Sequence, residues 1–188
     1  MTKPAGKKQP KPRLPGDPTP EELVARMIRV DQAGEYGARR IYEGQLAVLG
    51  RRPSGAKIRR MYEQELKHLK TFDNLIAARR VRPTALQPLW HVTGFALGAA
   101  TALLGEKAAM ACTVAVEEVI DEHYAGQAEQ LGTEEAALKE TIETFRAEEI
   151  EHRDTGLAEG AEEAPGYALL NGAIKAGSRL AIWLSTRI

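Results

Sequence analysis

Apolar residues recur along this chain at intervals of three and four, the spacing of one face of an α-helix. In the first long segment they lie at Leu23, Met27, Val30, Ile41, Leu46 and Leu49, with the small residue Gly34 in the same series. Thr19 and Pro20 precede two glutamates, and this order is typical of a helix start because threonine caps the helix and acids favour its positive end. A helix is therefore predicted from this point to Gly50.

Five further helices are predicted from the same spacing, with glycine or proline between most of them. Their expected ranges are 56–79, 85–104, 107–131, 134–159 and the apolar segment YALLNGAIKAGSRLAIWLSTRI that follows Pro165 and Gly166. No segment shows the strict alternation of a β-strand over a useful length. The pattern predicts an all-α protein built as a helical bundle.

The segment 85–104 is the most apolar part of the chain and contains no Lys, Arg, Asp or Glu. Its length would just suffice for a helix across a bilayer, which takes about 20 residues. Pro88, His91 and several small residues weaken that interpretation. A buried helix, or one that lies at an interface, is favoured.

Composition and charge limit the chain to one domain with no evident affinity for nucleic acid. It has 188 residues, and its 26 basic and 26 acidic residues cancel. Residues 1–20 form a basic, Pro/Gly-rich stretch that we expect to be a disordered tail before a domain at 21–188. The tail resembles neither a secretory signal nor a transit peptide. Cys112 is the single cysteine, lies among apolar residues and is expected to be buried and unreactive.

Carboxylates and histidines occur inside these helical segments, where neighbouring residues predict burial. Glu65 and His68, and again Glu149 and His152, form the pattern Glu-x-x-His. Positions i and i+3 project from one face of a helix, so each pair can reach a single ion. Buried acids normally require a cationic partner. The sequence therefore leaves two interpretations, a metal centre or solvated helix faces.

Spacing favours the metal centre. An isolated glutamate in an apolar setting precedes each pair, Glu35 thirty residues before Glu65 and Glu117 thirty-two residues before Glu149. Both intervals fit a helix, a short loop and a return along an antiparallel partner. Two such hairpins would bring four carboxylates and two imidazoles together, as in ferritin-like di-iron and di-manganese proteins. These ligands suit Fe(II) or Mn(II) better than zinc, and Glu65 and Glu149 are the expected bridging carboxylates.

Three stretches of the chain resemble the demethoxyubiquinone hydroxylase family of ubiquinone biosynthesis. They are RVDQAGEYGARRIYEGQLAVLG, RVRPTALQPLWHVTGFALGAATALLGEKAAMACTVAVEEVIDEHY and EEIEHRDTGLAEGAEEAPGYA. The resemblance covers about residues 24–188. It implies a ferritin-like four-helix bundle with two additional apolar helices. It also implies a di-iron monooxygenase that uses O₂ to hydroxylate the ring of a demethoxyubiquinol.

The resemblance also implies roles for individual residues. The family's metal ligands fall on Glu35, Glu65, His68, Glu117, Glu149 and His152. His123 and Tyr124 match a His-Tyr pair expected to couple electron or proton transfer to the metals. NADH is the expected electron donor, and Arg26, Arg179 and Arg187 are candidates for binding its phosphates, although exposed helix cations are the simpler interpretation.

An isoprenoid quinol substrate calls for an apolar opening at a bilayer surface. Its expected residues are Trp90, His91, Phe95 and Leu97, with Trp183 and Leu184 on the last helix. The resemblance implies peripheral attachment to the cytoplasmic face of a bacterial inner membrane, or to the matrix face of the mitochondrial one. It also allows a homo-oligomer and contacts with other ubiquinone-biosynthesis proteins. Two alternatives remain: a ferritin-like iron-oxidising or storage protein, which would not need charge-free helices, and a structural helical module on a membrane surface.

Overall fold

The computed structural model describes residue 14 and residues 16–188. Six α-helices account for most of these residues: α1 Pro20–Leu49, α2 Gly55–Ala78, α3 Gln87–Leu103, α4 Glu106–Gln130, α5 Ala136–Ala158 and α6 Tyr167–Ser185. The described residues contain no β-strand. The all-α prediction is confirmed, and the helix ends lie within three residues of the predicted ones. The predicted disordered tail falls on 1–20, of which 1–13 and 15 lie outside the described residues.

The start of α1 follows from its first four residues. Thr19 Oγ1 accepts a hydrogen bond from the Glu22 backbone N–H at 3.1 Å, and the Glu22 carboxylate accepts one from the Thr19 N–H at 2.7 Å. This reciprocal capping box satisfies two donors that the helix itself leaves unpaired. Pro20 occupies the first helical position, where its missing N–H costs nothing. The predicted helix start is confirmed.

Helices α1, α2, α4 and α5 form the four-helix bundle. Helices α1 and α4 are antiparallel, because Gln45 contacts Ala109 at one end of the pair and Asp31 contacts Gln127 at the other. Helices α2 and α5 are antiparallel in the same way. Lys57 pairs with Glu159 and Arg79 with Glu135 at opposite ends of that pair.

Two apolar clusters fill the bundle, one towards each end. One cluster includes Leu49, Ile58, Met61 and Met110, and the other includes Ile28, Phe72, Leu138 and Ile142. The middle turns of the four helices lie between them. Any polar side chain placed there is shielded from water at both ends of the bundle.

Helices α3 and α6 pack outside the bundle against α1 and α4, which confirms the expected two additional helices. Helix α3 runs parallel to α1, because His91 contacts Tyr36 and, further along both helices, Gly98 lies against Ile41. The two helices are close together: a Cβ on Gly98 would overlap the carbonyl oxygen of Ile41. Helix α6 runs parallel to α4, where Lys175 pairs with Glu118 and Arg179 with Glu122. Within the described part of the chain, no helix has the length and apolar composition needed to cross a bilayer.

Cys112 lies in a third apolar cluster where α4 meets α6. Its side chain is fully buried with Ala115, Val116 and Ile174. Burial raises the pKa of the thiol to about 12. The prediction of a buried cysteine is confirmed, and the thiol is held in its unreactive protonated form.

Candidate metal centre

The six residues predicted as metal ligands converge in the middle of the bundle. Helix α1 contributes Glu35, α2 contributes Glu65 and His68, α4 contributes Glu117, and α5 contributes Glu149 and His152. Each of them is no more than 1% exposed. The interpretation of these acids as solvated helix faces is therefore wrong. Their role as ligands stays a prediction.

The donor atoms form two overlapping groups. One group contains Glu35, Glu65, His68 and Glu149, and the other contains Glu65, Glu117, Glu149 and His152. Within each group, one donor atom from every residue lies within 4.8 Å of the others. Glu65 and Glu149 belong to both groups. This arrangement offers two adjacent ion positions that share the two carboxylates expected to bridge them.

Burial and mutual repulsion disturb the carboxylates of this centre. Burial raises the pKa of Glu65 and of Glu117, and the neighbouring Glu149 raises both further. Burial opposes ionisation of Glu149 as well, but hydrogen bonds from His152 and His68 outweigh it and lower its pKa to about 2. Burial likewise disfavours a charged His68, yet the adjacent carboxylates of Glu149 and Glu35 raise its pKa to about 12. Protons on the histidines thus balance part of the negative charge.

Several carboxylate oxygens of the centre have no hydrogen-bond partner. Both oxygens of Glu65, one oxygen of Glu35 and one of Glu117 are buried in this state. A buried carboxylate oxygen without a partner is costly, and two divalent cations, one for each group of ligands, would satisfy these atoms. Four carboxylates, two imidazoles and no thiolate suit iron or manganese. The residues present therefore fit a pair of such ions.

Two further side chains orient the histidines from outside. The Nδ1 atoms of His68 and His152 face the centre, at 3.1 and 3.0 Å from the two oxygens of Glu149. The Nε2 atom of His68 lies 2.6 Å from Glu148 Oε2, and that of His152 lies 3.1 Å from Gln64 Oε1. An acceptor at Nε2 holds its proton there and leaves Nδ1 free to bind a metal. Sequence reasoning missed both residues, although each directly precedes the glutamate of a Glu-x-x-His pair.

Two buried tyrosines hold the outer glutamates. The Tyr42 hydroxyl donates to Glu117 Oε1 at 2.8 Å, and the Tyr124 hydroxyl donates to Glu35. Burial raises the pKa of both phenols, and the adjacent carboxylates raise it further. Tyr124 was predicted to act near the metals and does contact a predicted ligand. Tyr42 was missed, although it follows Glu35 by the same seven positions as Tyr124 follows Glu117.

His123 lies one step further from the centre. Its Nε2 atom is 3.2 Å from Asp31 Oδ1 and 2.9 Å from the side-chain nitrogen of Gln127. Asp31 is buried, and burial raises the pKa of its carboxyl. The His123 side chain is 21% exposed, so it connects this buried group with solvent. Its role in electron or proton transfer stays a prediction.

The three arginines predicted to bind nucleotide phosphates lie outside the metal centre. Arg26 is exposed near the start of α1. Arg179 pairs with Glu122 at 2.9 Å. Arg187 donates to the Trp183 carbonyl at 2.8 Å and stacks over the Trp183 ring. A phosphate on Arg179 would have to compete with Glu122, and the role of all three arginines stays a prediction.

An apolar groove of about 550 Å³ lies between α1, α3, α4 and α6. Its lining includes Ala38, Ile41, Trp90, Leu97, Val116 and Ile174. Helices α1 and α4 contribute to both the groove and the metal centre, since Gly34 and Val116 line the groove and directly precede Glu35 and Glu117 in the sequence. Trp90 also donates from its indole N–H to Ser185 at 3.0 Å, which joins α3 to α6 across the groove.

The predicted apolar opening is only partly matched by this groove. Trp90 and Leu97 line it, whereas His91, Phe95, Trp183 and Leu184 are not among its lining residues. His91 instead contacts the Tyr36 hydroxyl at 2.7 Å. Most large apolar side chains exposed on the described chain nevertheless lie on α3 and α6 or directly after them: Leu89, Val92, Leu103, Leu104, Leu169, Leu180, Trp183 and Ile188.

Comparison with known proteins agrees with this architecture. The family described as "Ubiquinone biosynthesis protein COQ7" matches residues 22–185. A Rhodospirillum rubrum protein named 3-demethoxyubiquinol 3-hydroxylase is 63% identical over 98% of this chain and 87% of its own length. A Mus musculus protein named NADPH-dependent 3-demethoxyubiquinone 3-hydroxylase, mitochondrial, is 58% identical over 87% and 77%. A Saccharomyces cerevisiae protein named 5-demethoxyubiquinone hydroxylase, mitochondrial, is 45% identical over 88% and 78%. The chain therefore belongs to the COQ7 family of ubiquinone-biosynthesis proteins.

Proposed function

We propose that this protein is a di-iron monooxygenase that hydroxylates the ring of a demethoxyubiquinol with O₂ during ubiquinone biosynthesis. The observation that carries the proposal is the pair of overlapping carboxylate–histidine groups beside an apolar groove. The names of relatives that are 45–63% identical to the chain support the substrate class. The proposed type of reaction thus rests on the site, and the proposed class of substrate rests on the family.

The residues of the centre have distinct roles in this proposal. Glu35 and His68 would hold one ion, Glu117 and His152 would hold the other, and both ions would share Glu65 and Glu149. Two iron ions held in this way would supply the electrons that activate O₂. Tyr124 keeps a proton hydrogen-bonded to Glu35. His123 and Asp31 give this side of the centre an exchangeable proton within reach of solvent.

The groove between α1, α3, α4 and α6 binds the isoprenoid tail. Its walls are almost entirely apolar, so a hydrocarbon chain gains the free energy of leaving water there. The exposed apolar residues of α3 and α6 would rest on a bilayer and receive the substrate directly. The protein would then lie on the cytoplasmic face of a bacterial inner membrane or the matrix face of the mitochondrial one. A homo-oligomer and contacts with other enzymes of the pathway are compatible with this placement.

A reduced nicotinamide is the proposed electron donor. The family resemblance implies NADH, whereas the mouse relative is named for dependence on NADPH. Arg26, Arg179 and Arg187 remain the candidate phosphate-binding residues. Comparing the reduction of the loaded centre by NADH and by NADPH, in the intact protein and in Arg179→Gln, would test both the donor and this assignment.

Iron storage is the less favoured alternative. A storage protein has no use for an apolar groove of about 550 Å³ next to its metal centre. Nor does storage explain a concentration of exposed leucine and tryptophan on two outer helices. Both features favour a lipid substrate.

A single-turnover experiment tests the proposed function. Metal-free protein is loaded with Fe(II) without oxygen, mixed with a short-tailed demethoxyubiquinol and then exposed to O₂. The proposal expects about two irons per chain, one for each group of ligands, and a ring-hydroxylated product. Oxidation of iron without hydroxylated product would favour storage, and absence of stoichiometric metal would reject the centre.

A further inference from the structure

The metal centre is built from two halves related by an approximate two-fold repeat. The sequence Glu-x₆-Tyr-x-Gly-Gln occurs at 35–45 on α1 and at 117–127 on α4. The Glu-x-x-His pair on α2, Glu65 and His68, has its counterpart in Glu149 and His152 on α5. If both halves contributed identical groups, the two ion positions would be chemically equivalent.

Contacts across the centre follow the same repeat. Tyr42 of the first half donates to Glu117 of the second, and Tyr124 of the second donates to Glu35 of the first. Each half therefore supplies the hydrogen bond that holds the outer glutamate of the other. The repeat is a property of the packed structure as well as of the sequence.

The repeat is broken at the residue before each Glu-x-x-His pair. This residue is Gln64 on α2 and Glu148 on α5. Each contacts the Nε2 atom of the opposite histidine, Glu148 that of His68 at 2.6 Å and Gln64 that of His152 at 3.1 Å. One histidine therefore has a carboxylate behind it, and the other has a neutral amide.

A second break lies one turn before each outer glutamate, where Asp31 precedes Glu35 and Thr113 precedes Glu117. Gln45 and Gln127 occupy equivalent positions of the repeat, but the side chain of Gln45 meets the Thr113 hydroxyl at 3.4 Å, and that of Gln127 meets the Asp31 carboxylate at 2.7 Å. Asp31 is 2% exposed and lies on the same helix as Glu35. Both acidic exceptions thus lie at the ion position of Glu35 and His68: Glu148 contacts His68 from α5, and Asp31 lies one turn before Glu35 on α1.

We propose that Glu148, supported by Asp31, makes the two ion positions unequal, so that the position of Glu35 and His68 binds a divalent metal more tightly and fills first. A carboxylate that accepts the Nε2 proton of a histidine makes the imidazole a stronger ligand and adds negative charge near the cation. An amide holds the ring in place without adding charge. Glu148 is accordingly a positioning residue that acts through His68, and this inference rests on the proposed di-iron function.

Anaerobic calorimetric titration of the metal-free protein with Fe(II) tests the inference. The intact protein is expected to bind iron in two resolved steps. Glu148→Gln should weaken the tighter step by about 10–100-fold, the usual effect of losing an outer partner of a ligand histidine. Gln64→Glu should tighten the weaker step. Glu140→Gln removes the same charge from an exposed site two turns earlier on α5 and should leave both steps unchanged.

The two variants separate a positioning role from a structural one. General disruption of the bundle could weaken binding in Glu148→Gln, but it could not tighten a step in Gln64→Glu. Two equal steps in the intact protein, or unchanged steps in Glu148→Gln, would overturn the inference and leave the di-iron function standing. Absence of iron binding in the intact protein would reject both.

Discussion

Glu149 is the carboxylate that contacts both histidines of the predicted metal centre. Its two oxygens lie 3.1 Å from His68 and 3.0 Å from His152, and it belongs to both ligand groups. Glu65 belongs to both groups as well, but its oxygens have no hydrogen-bond partner. Glu149 is thus the predicted bridging carboxylate that also contacts both histidines in the absence of metal.

Glu149→Ala is expected to abolish hydroxylation and metal binding while the helical fold is retained. Each histidine keeps a carboxylate nearby, Glu35 at 3.5 Å from His68 and Glu65 at 3.2 Å from His152. Loss of one acid among four also relieves repulsion in the metal-free protein. Iron content, turnover and far-UV circular dichroism measure the outcome, with Glu140→Ala as the control. A variant that still binds two irons and turns over would refute the assignment.

At the scale of the elements, close packing of α3 on α1 shapes the apolar groove. Gly44, Gly94 and Gly98 lie at this contact, where added Cβ atoms would meet the backbone of the facing helix or, for Gly94, also the Cβ of Arg40. The sequence shows these glycines inside helices, where glycine is unfavourable by about 1 kcal/mol relative to alanine. The structure supplies the compensating reason, which is helix approach.

Gly98→Ala is therefore expected to destabilise the protein, in contrast to Gly172→Ala. The new methyl group at Gly98 would push α3 away from Ile41 and cost about 1–3 kcal/mol, as overpacking does elsewhere. Gly172 on α6 has open space around it, and alanine there should be neutral or stabilising by up to about 1 kcal/mol. Urea unfolding measures both free energies. Equal effects of the two substitutions would contradict the packing argument.

At the scale of the whole molecule, the buried charges make metal-free stability depend on pH. The raised pKa values of Glu65, Glu117 and His68 mean that the folded protein retains protons that the unfolded chain releases. Such groups stabilise the fold at low pH and lose this contribution as pH rises. Glu149 has the opposite effect on stability, because its pKa is lowered. Its contribution to stability is lost only as the solution becomes acidic.

The free energy of unfolding of the metal-free protein should accordingly fall between pH 6.5 and pH 9, the ordinary histidine value lying at the lower limit. The slope is about 1.4 kcal/mol per pH unit for each proton retained. Iron loading should remove or reverse this fall, because metal binding requires deprotonated ligands and tightens as pH rises. Urea unfolding at both pH values, with and without Fe(II) under nitrogen, measures the difference. Stability that increases with pH in the metal-free protein would contradict the charge assignment.

The proposed attachment to a lipid surface depends on the exposed apolar residues of the outer helices. Leu169 and Leu180 on α6 are 81% and 56% exposed. Replacing both with glutamate should weaken binding to phosphatidylcholine vesicles by at least tenfold, since burying one leucine contributes about 1.5–3 kcal/mol. Co-sedimentation with the vesicles measures this binding. Leu23 and Leu157, exposed elsewhere, provide the matched control pair. Equal vesicle binding by the two double variants would reject attachment through α6.

Much of the fold and the convergence of the six candidate ligands were predictable from the sequence, because both follow from local periodicity. Capping at Thr19 and the three-residue spacing within Glu65/His68 and Glu149/His152 depend on neighbours in the chain alone. The intervals between these motifs then require antiparallel hairpins, which bring the six side chains to one level of the bundle. The repeat in the sequence also makes Tyr42 the counterpart of Tyr124 and Glu148 the counterpart of Gln64.

Side-chain contacts between helices could not be predicted from the sequence, because they depend on how the helices pack. Gln64 meets His152, and Tyr42 meets Glu117, only because the rotation and axial offset of four packed helices bring these atoms together. The groove between α1, α3, α4 and α6 arises in the same way, and this is why Trp90 lines it while Trp183 points to solvent. Helical periodicity tells which residues share a face, but burial depends on the neighbour that covers that face, and distant segments of the chain supply that neighbour.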